Sequence, residues 1–104
     1  MPGLTIDSVR EGTVHILVLH GELDLGSIDE LGEQLRLVED GAAEEIVVDL
    51  RDLRFIDSSG LRALLRAHQR SARDGGRLRL RRGPEAVQRV FAITGTADDL
   101  PFVD

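Results

Sequence analysis

Asp57-Ser58-Ser59-Gly60 is the stretch whose residue types and order are best suited to chemistry. A serine at a helix N-terminus aims its hydroxyl at unpaired backbone amides in a region that favours negative charge. A phosphate attached there is stabilised rather than repelled. The helix survives, but its tip changes charge by about −2. Those are the properties of a surface switch. The plainer reading of the same residues is an N-cap by Ser58 or Asp57, worth about 1 kcal/mol.

Enzymatic alternatives fare poorly on the same residues. Ser58 does not sit in a G-x-S-x-G elbow. The histidines are His15, His20 and His68. His15 and His20 lie in one strand at a spacing that points them to opposite faces, and His68 falls on an apolar helical stripe. No catalytic triad or metal site follows. The chain has no cysteine, which excludes a disulfide framework, a thiolate metal site and a cysteine nucleophile. No glycine-rich nucleotide loop is present. The aromatic residues are three phenylalanines at apolar positions, which make no base-stacking surface. No cofactor is expected.

The elements that must position Ser58 follow from periodicity. Leu4–Val9 and Val14–His20 read as strands of an antiparallel hairpin turned at Glu11-Gly12-Thr13. The second is apolar at nearly every position, which predicts cover on both faces. Gly21–Gly26 is a loop. Ser27 and Glu30 have capping-box spacing before a helix with Ile28, Leu31, Leu35 and Val38 on one face, ended by Gly41. Glu45–Leu50 is a buried strand, with Arg51–Asp57 as its exit. A second helix begins near Ser58, its stripe Leu61, Leu64, Leu65, His68 and Ala72, and stops at Gly75-Gly76. Arg77–Arg81 alternates as a strand near a sheet edge. Pro84 opens a third helix with Val87, Val90 and Phe91 inward, and Gly95 closes it. Ala97–Leu100 is one helical turn, and Phe102-Val103 is a last short strand. This order predicts an α/β fold with a mainly parallel sheet and right-handed crossovers. Loops at the carboxyl ends of the parallel strands, Gly21–Gly26 and Asp52–Ser59 among them, then share one edge.

With 104 residues the chain has room for one core, so residues 1–104 form a single domain. The net charge of −6 argues against direct nucleic-acid binding. The charge is segregated: residues 1–61 hold 4 Arg against 14 acids, and residues 62–89 hold 9 Arg against 2 acids. A solvated basic helix face beside an acidic half accounts for that better than a dedicated anion site. No apolar run reaches membrane-spanning length, and the first residues lack a secretory pattern, so a cytoplasmic protein is expected.

Phe55-Ile56-Asp57-Ser58-Ser59-Gly60-Leu61 resembles the signature of STAS domains, named for sulfate transporters and anti-sigma factor antagonists. Gly21-Glu22-Leu23-Asp24 resembles the family's second hallmark. Val47–Leu53 resembles the strand that leads into the signature, and Gly75–Leu80 and Val87–Gly95 are similar to its later strand and helix. The resemblance spans nearly the whole chain in order. It implies the STAS fold: a mainly parallel sheet with an N-terminal antiparallel hairpin and helices after strands two, three and four.

The resemblance also implies a bacterial anti-sigma factor antagonist. Unphosphorylated, such a protein binds an anti-sigma factor serine kinase and frees the sigma factor. Phosphorylation releases it, and a serine phosphatase resets it. Carried onto this chain, Ser58 is the acceptor, Ser59 its neighbour in the cap, and Asp24 a kinase-binding residue on the adjacent loop. Glu22, Asp57, Gly60 and Arg62 complete the partner surface. Arg62 departs from the small residue common in the family, and its position one turn on suits pairing with a phosphate or obstruction of docking. The sequence ends at Asp104, where many relatives continue into a last helix: either the natural protein is short or it is cut there, and part of the sheet face is then expected to be more exposed, which leaves room for a weak dimer as well as a monomer. Two other readings use the same fold. One is a STAS adaptor subunit regulating a transporter complex, without a phosphorylation cycle. The other is nucleotide binding near Ser58 and Arg62.

Overall fold

The computed structural model describes residues 3–103. Its elements are β1 (Leu4–Glu11), β2 (Val14–Leu23), α1 (Ile28–Glu39), β3 (Glu45–Asp49), β4 (Leu53–Ile56), α2 (Ser58–Arg73), β5 (Leu78–Arg81), α3 (Glu85–Thr94), a 3₁₀ turn (Ala97–Asp99) and β6 (Phe102–Val103). The sheet order is β1-β2-β3-β5-β6, with β4 also paired to β2. Among the described residues only the β1–β2 ladder is antiparallel; the β2–β3, β2–β4, β3–β5 and β5–β6 ladders are parallel. The expected α/β architecture and its N-terminal hairpin are present.

Alternation sorts the side chains into two layers. Leu17 and Leu19 of β2, Ile46 and Val48 of β3, and Leu78 and Leu80 of β5 share one face. They join Leu31, Leu35 and Val38 of α1, Leu61, Leu64 and Ala67 of α2, and Val87 and Phe91 of α3 in one core. The helices thus cover one face. Ile16 and Val47 are buried on the other face, outside that core. The continuous apolar run of β2 therefore reflects a central strand flanked by neighbours, not helices on both sides. Phe91 also meets Phe102 edge-on at 5.1 Å between ring centres, which fastens β6 to α3.

Four local expectations are revised. β2 continues through Gly21 and Glu22 to Leu23, because its C-terminal end finds a second partner. That partner is β4, formed by residues expected to be only an exit from β3. A turn closed by the Leu53 amide on the Leu50 carbonyl (3.0 Å) separates the two strands, so β3 and β4 pair with successive stretches of β2. The Ser27–Glu30 capping box does not form, because the buried Ser27 hydroxyl is used inside the preceding loop. On α2 the buried line is Gly60, Leu61, Leu64 and Ala67; His68 is half-buried and Ala72 exposed. The stripe runs one position away from the expected line late in the helix.

Candidate functional site

Parallel pairing of β2 with β4 builds the site. Glu22 is opposite Phe55 and Leu23 is opposite Ile56. Asp24 and Asp57 directly follow the ends of these strands, so both hallmark loops leave the sheet side by side. The amide of Asp57 donates to the Leu23 carbonyl at 3.2 Å, extending the tie one residue further.

Asp57 caps α2. Its backbone is extended, and its Oδ1 accepts from the Gly60 amide at 2.9 Å. Its carbonyl accepts from the Leu61 amide at 2.9 Å. Asp57, not Ser58, is therefore the N-cap, and this leaves the Ser58 side chain uncommitted. Ser58 is the first helical residue, is exposed, and its hydroxyl makes no hydrogen bond among the described residues. Ser59 is half-buried beside it.

Gly60 is buried because the helix start is pressed onto β2. A Cβ at Gly60 would lie 2.4 Å from the Leu23 carbonyl oxygen and 2.9 Å from Leu23 Cγ. Only glycine permits that approach. The glycine of the signature therefore sets the height of Ser58 above the sheet edge.

The adjacent loop is rigid by its own bonds. Ser27 Oγ donates to the Glu22 carbonyl at 2.8 Å and accepts from the Asp24 amide at 3.0 Å. Asp24 Oδ1 accepts from the Gly26 amide at 3.0 Å. The Asp24 carboxylate is thus held in place, with lone pairs left over for a partner. Glu22 is exposed. Arg62 is exposed one turn beyond Ser58 and has no ion-pair partner among the described residues. The structure brings Glu22, Asp24, Asp57, Ser58, Ser59 and Gly60 to one edge, with Arg62 on the adjoining turn.

Sequence reasoning missed two apolar residues there. Leu25 is 73 % exposed at the loop tip and Phe55 is 49 % exposed on β4. The sequence places Phe55 in an exit segment with no register, and its outward direction follows only from its pairing with Glu22. Asp49 was also missed. It is 1 % exposed and accepts from the Arg51 amide at 2.9 Å, with the Arg51 and Arg81 guanidinium groups 3.0 and 3.2 Å away. Burial pushes its carboxyl up, but the hydrogen bonds and charges of Arg51, with the charge of Arg81, outweigh that and hold it below its ordinary value. The pairing in turn raises Arg51. This network pins the turn that carries the chain from β3 to β4.

The histidines lie elsewhere. His20 bonds Asp7 at 2.9 Å and approaches Asp52 at 3.4 Å, whereas His15 bonds Ser8. Among the described residues no group of three or more His, Cys, Asp or Glu is arranged to hold a metal ion, and no helix is long and apolar enough to cross a membrane.

The chain is similar to proteins of known role. The anti-sigma-B factor antagonist of Bacillus subtilis is 35 % identical over 79 residues, covering 75 % of this chain and 71 % of that protein. The anti-sigma F factor antagonist of Paenibacillus polymyxa is 29 % identical over 102 residues, covering 97 % of this chain and 87 % of that protein. The fold is shared with the Bacillus anti-sigma factor antagonist SpoIIAA, 22 % identical. Its unphosphorylated form matches with a TM-score of 0.77 over 96 % of this chain and 87 % of that one. Its phosphorylated form matches with 0.69 over 97 % and 89 %. The STAS domain family matches residues 5–104, and the chain belongs to that family.

Proposed function

We propose that this protein is a bacterial, cytoplasmic anti-sigma factor antagonist that switches by phosphorylation of Ser58. Unphosphorylated, it binds an anti-sigma factor serine kinase through the edge formed by Glu22, Asp24, Asp57, Ser58, Ser59, Gly60 and Arg62, and the sigma factor is freed. In the kinase complex Ser58 Oγ attacks the γ-phosphorus of ATP, the bond to the β-phosphate oxygen breaks, and the serine proton passes to the kinase. The new dianion then sits inside the binding surface, and the complex dissociates. A serine phosphatase restores the hydroxyl.

The observation that carries this reading is the exposed, uncommitted Ser58 hydroxyl on a helix start held by Asp57 and Gly60. Complete switching needs roughly 5 kcal/mol of difference between the two forms. A dianion forced into a docked, partly desolvated edge beside Glu22, Asp24 and Asp57 supplies energy of that order. The unpaired amides of the first turn lower the cost of carrying the phosphate when the protein is free. The test is incubation with the purified kinase and ATP, then mass spectrometry of the peptides. Phosphate on Ser58 supports the reading; phosphate placed elsewhere while Ser58 is intact overturns it.

A further inference from the structure

The far end of the sheet carries a feature the switch does not use. On β1 the helix-facing positions run Leu4, Ile6, Ser8 and Arg10, and on β2 they run Leu19, Leu17 and His15. The line begins apolar and turns polar at Ser8, Arg10 and His15. Of the outward positions nearby, Val9, Val14 and Ile16 are apolar and Glu11 is charged. The apolar line of the helix-facing side is thus broken at the end of the hairpin, where continued apolar residues would have extended the core.

These polar residues face a cleft of about 340 Å³ between the hairpin and the C-terminal half of α1, lined by Ser8, Arg10, His15, Gln34, Leu37, Val38, Gly41 and Ala43. That is within the roughly 300–1,000 Å³ typical of small-molecule sites. Ser8 Oγ and His15 Nε2 are hydrogen-bonded to each other. Arg10 lies opposite His15 in the ladder and has no ion-pair partner among the described residues, although residues 1–61 are strongly acidic. Val38 and Ala43 are buried beneath the polar group, and Leu37 is 69 % exposed at the rim. Leu37 faces away from the α1 core stripe, so packing does not account for it.

We propose that this cleft binds a small amphipathic anion, a carboxylate or phosphate monoester carrying a short alkyl chain. Arg10 supplies the charge, with Ser8, His15 and Gln34 as further hydrogen-bonding groups around the head. Leu37, Val38 and Ala43 receive the chain. The site lies at the amino end of β2, remote from Ser58, and is independent of the switch reading.

The test is a titration of the isotope-labelled protein with hexanoate, butyl phosphate and inorganic phosphate, each to about 10 mM, followed by amide resonances. Saturable shifts at Ser8, Arg10, His15, Gln34 and Gly41 are expected with the two alkyl ligands. Whichever of these binds tighter identifies the head group. Arg10→Gln, at an exposed position, weakens both about tenfold. Leu37→Ser weakens both but leaves inorganic phosphate unchanged. Absence of saturable shifts, or undiminished binding by Arg10→Gln, overturns the site. Equal affinity for inorganic phosphate and the alkyl ligands overturns the amphipathic assignment.

Discussion

A methyl group placed on Gly60 would come within 2.4 Å of the Leu23 carbonyl oxygen, which already accepts the Asp57 amide at 3.2 Å. Helix propensity alone favours Gly60→Ala by about 1 kcal/mol. The steric term is larger and of opposite sign, because the obstacle is backbone. Gly60→Ala is therefore expected to lose about 2–3 kcal/mol in chemical denaturation. A stabilised variant would show that α2 can lift away without cost.

The cap is separable from the acceptor. Asp57→Ala removes the bond to the Gly60 amide and should cost about 1 kcal/mol, whereas Asp57→Asn keeps an acceptor and should cost only a few tenths. Ser58→Ala should change stability by less than about 0.5 kcal/mol, since the hydroxyl has no partner. Thermal unfolding of the three variants side by side checks the order. A loss in Ser58→Ala matching that in Asp57→Ala would mean that Ser58 is the structural cap after all.

Arg62 is spaced four residues from Ser58 on one helix face. Phosphorylated protein should gain about 0.5–1 kcal/mol over the unmodified form from the first-turn amides and from Arg62. Arg62→Gln should lose part of that gain while leaving the unmodified protein unchanged. Paired melting curves of both proteins, before and after phosphorylation, measure it; equal gains in the two would exclude Arg62 as a phosphate partner.

The Asp49 network sets a dependence on acid. Its carboxyl is held below the ordinary value of 3.8, so the folded state binds this proton less readily than the unfolded chain does. Its contribution is complete above that value and fades as pH falls through the lower, folded value. The unfolding free energy of the wild type minus that of Asp49→Asn should be constant from about pH 5 to about pH 7 and shrink below about pH 4. A gap unaffected by acid would assign Asp49 a purely packing role. Because the Arg51 side chain remains 64 % exposed, removing Asp49 strands no buried cation, and the loss belongs at about 1–3 kcal/mol.

Much of this architecture is legible in the residues. Period-2 alternation in Leu78–Arg81 and the spacing of Leu31, Leu35 and Val38 mark their elements directly. Asp57-Ser58-Ser59-Gly60 reads as a helix start because a short acidic side chain precedes small residues. β4 was hidden because Leu53-Arg54-Phe55-Ile56 has too few residues to show a period, and its strand identity comes from Gly21–Leu23, distant in sequence. Ser27 misled for a related reason. A serine three residues before a glutamate fits a capping box, yet a carbonyl five residues back, on Glu22, won the hydroxyl. The outward turn of Leu25 and Phe55 likewise depends on neighbours that only tertiary pairing supplies.

The mount beneath Ser58 is fixed on three sides: the Asp57 cap, the close seat of Gly60 on Leu23, and the ladder from β2 to β4. Little is left to move when a phosphate arrives. A reader of this site must therefore sense electrostatic potential rather than displacement. Potential at an exposed position is screened by mobile ions, over about 8 Å at physiological ionic strength. On the proposed reading of Ser58 the contrast between the two forms is accordingly tunable by ionic strength, without any change in the amount of the modifying enzymes.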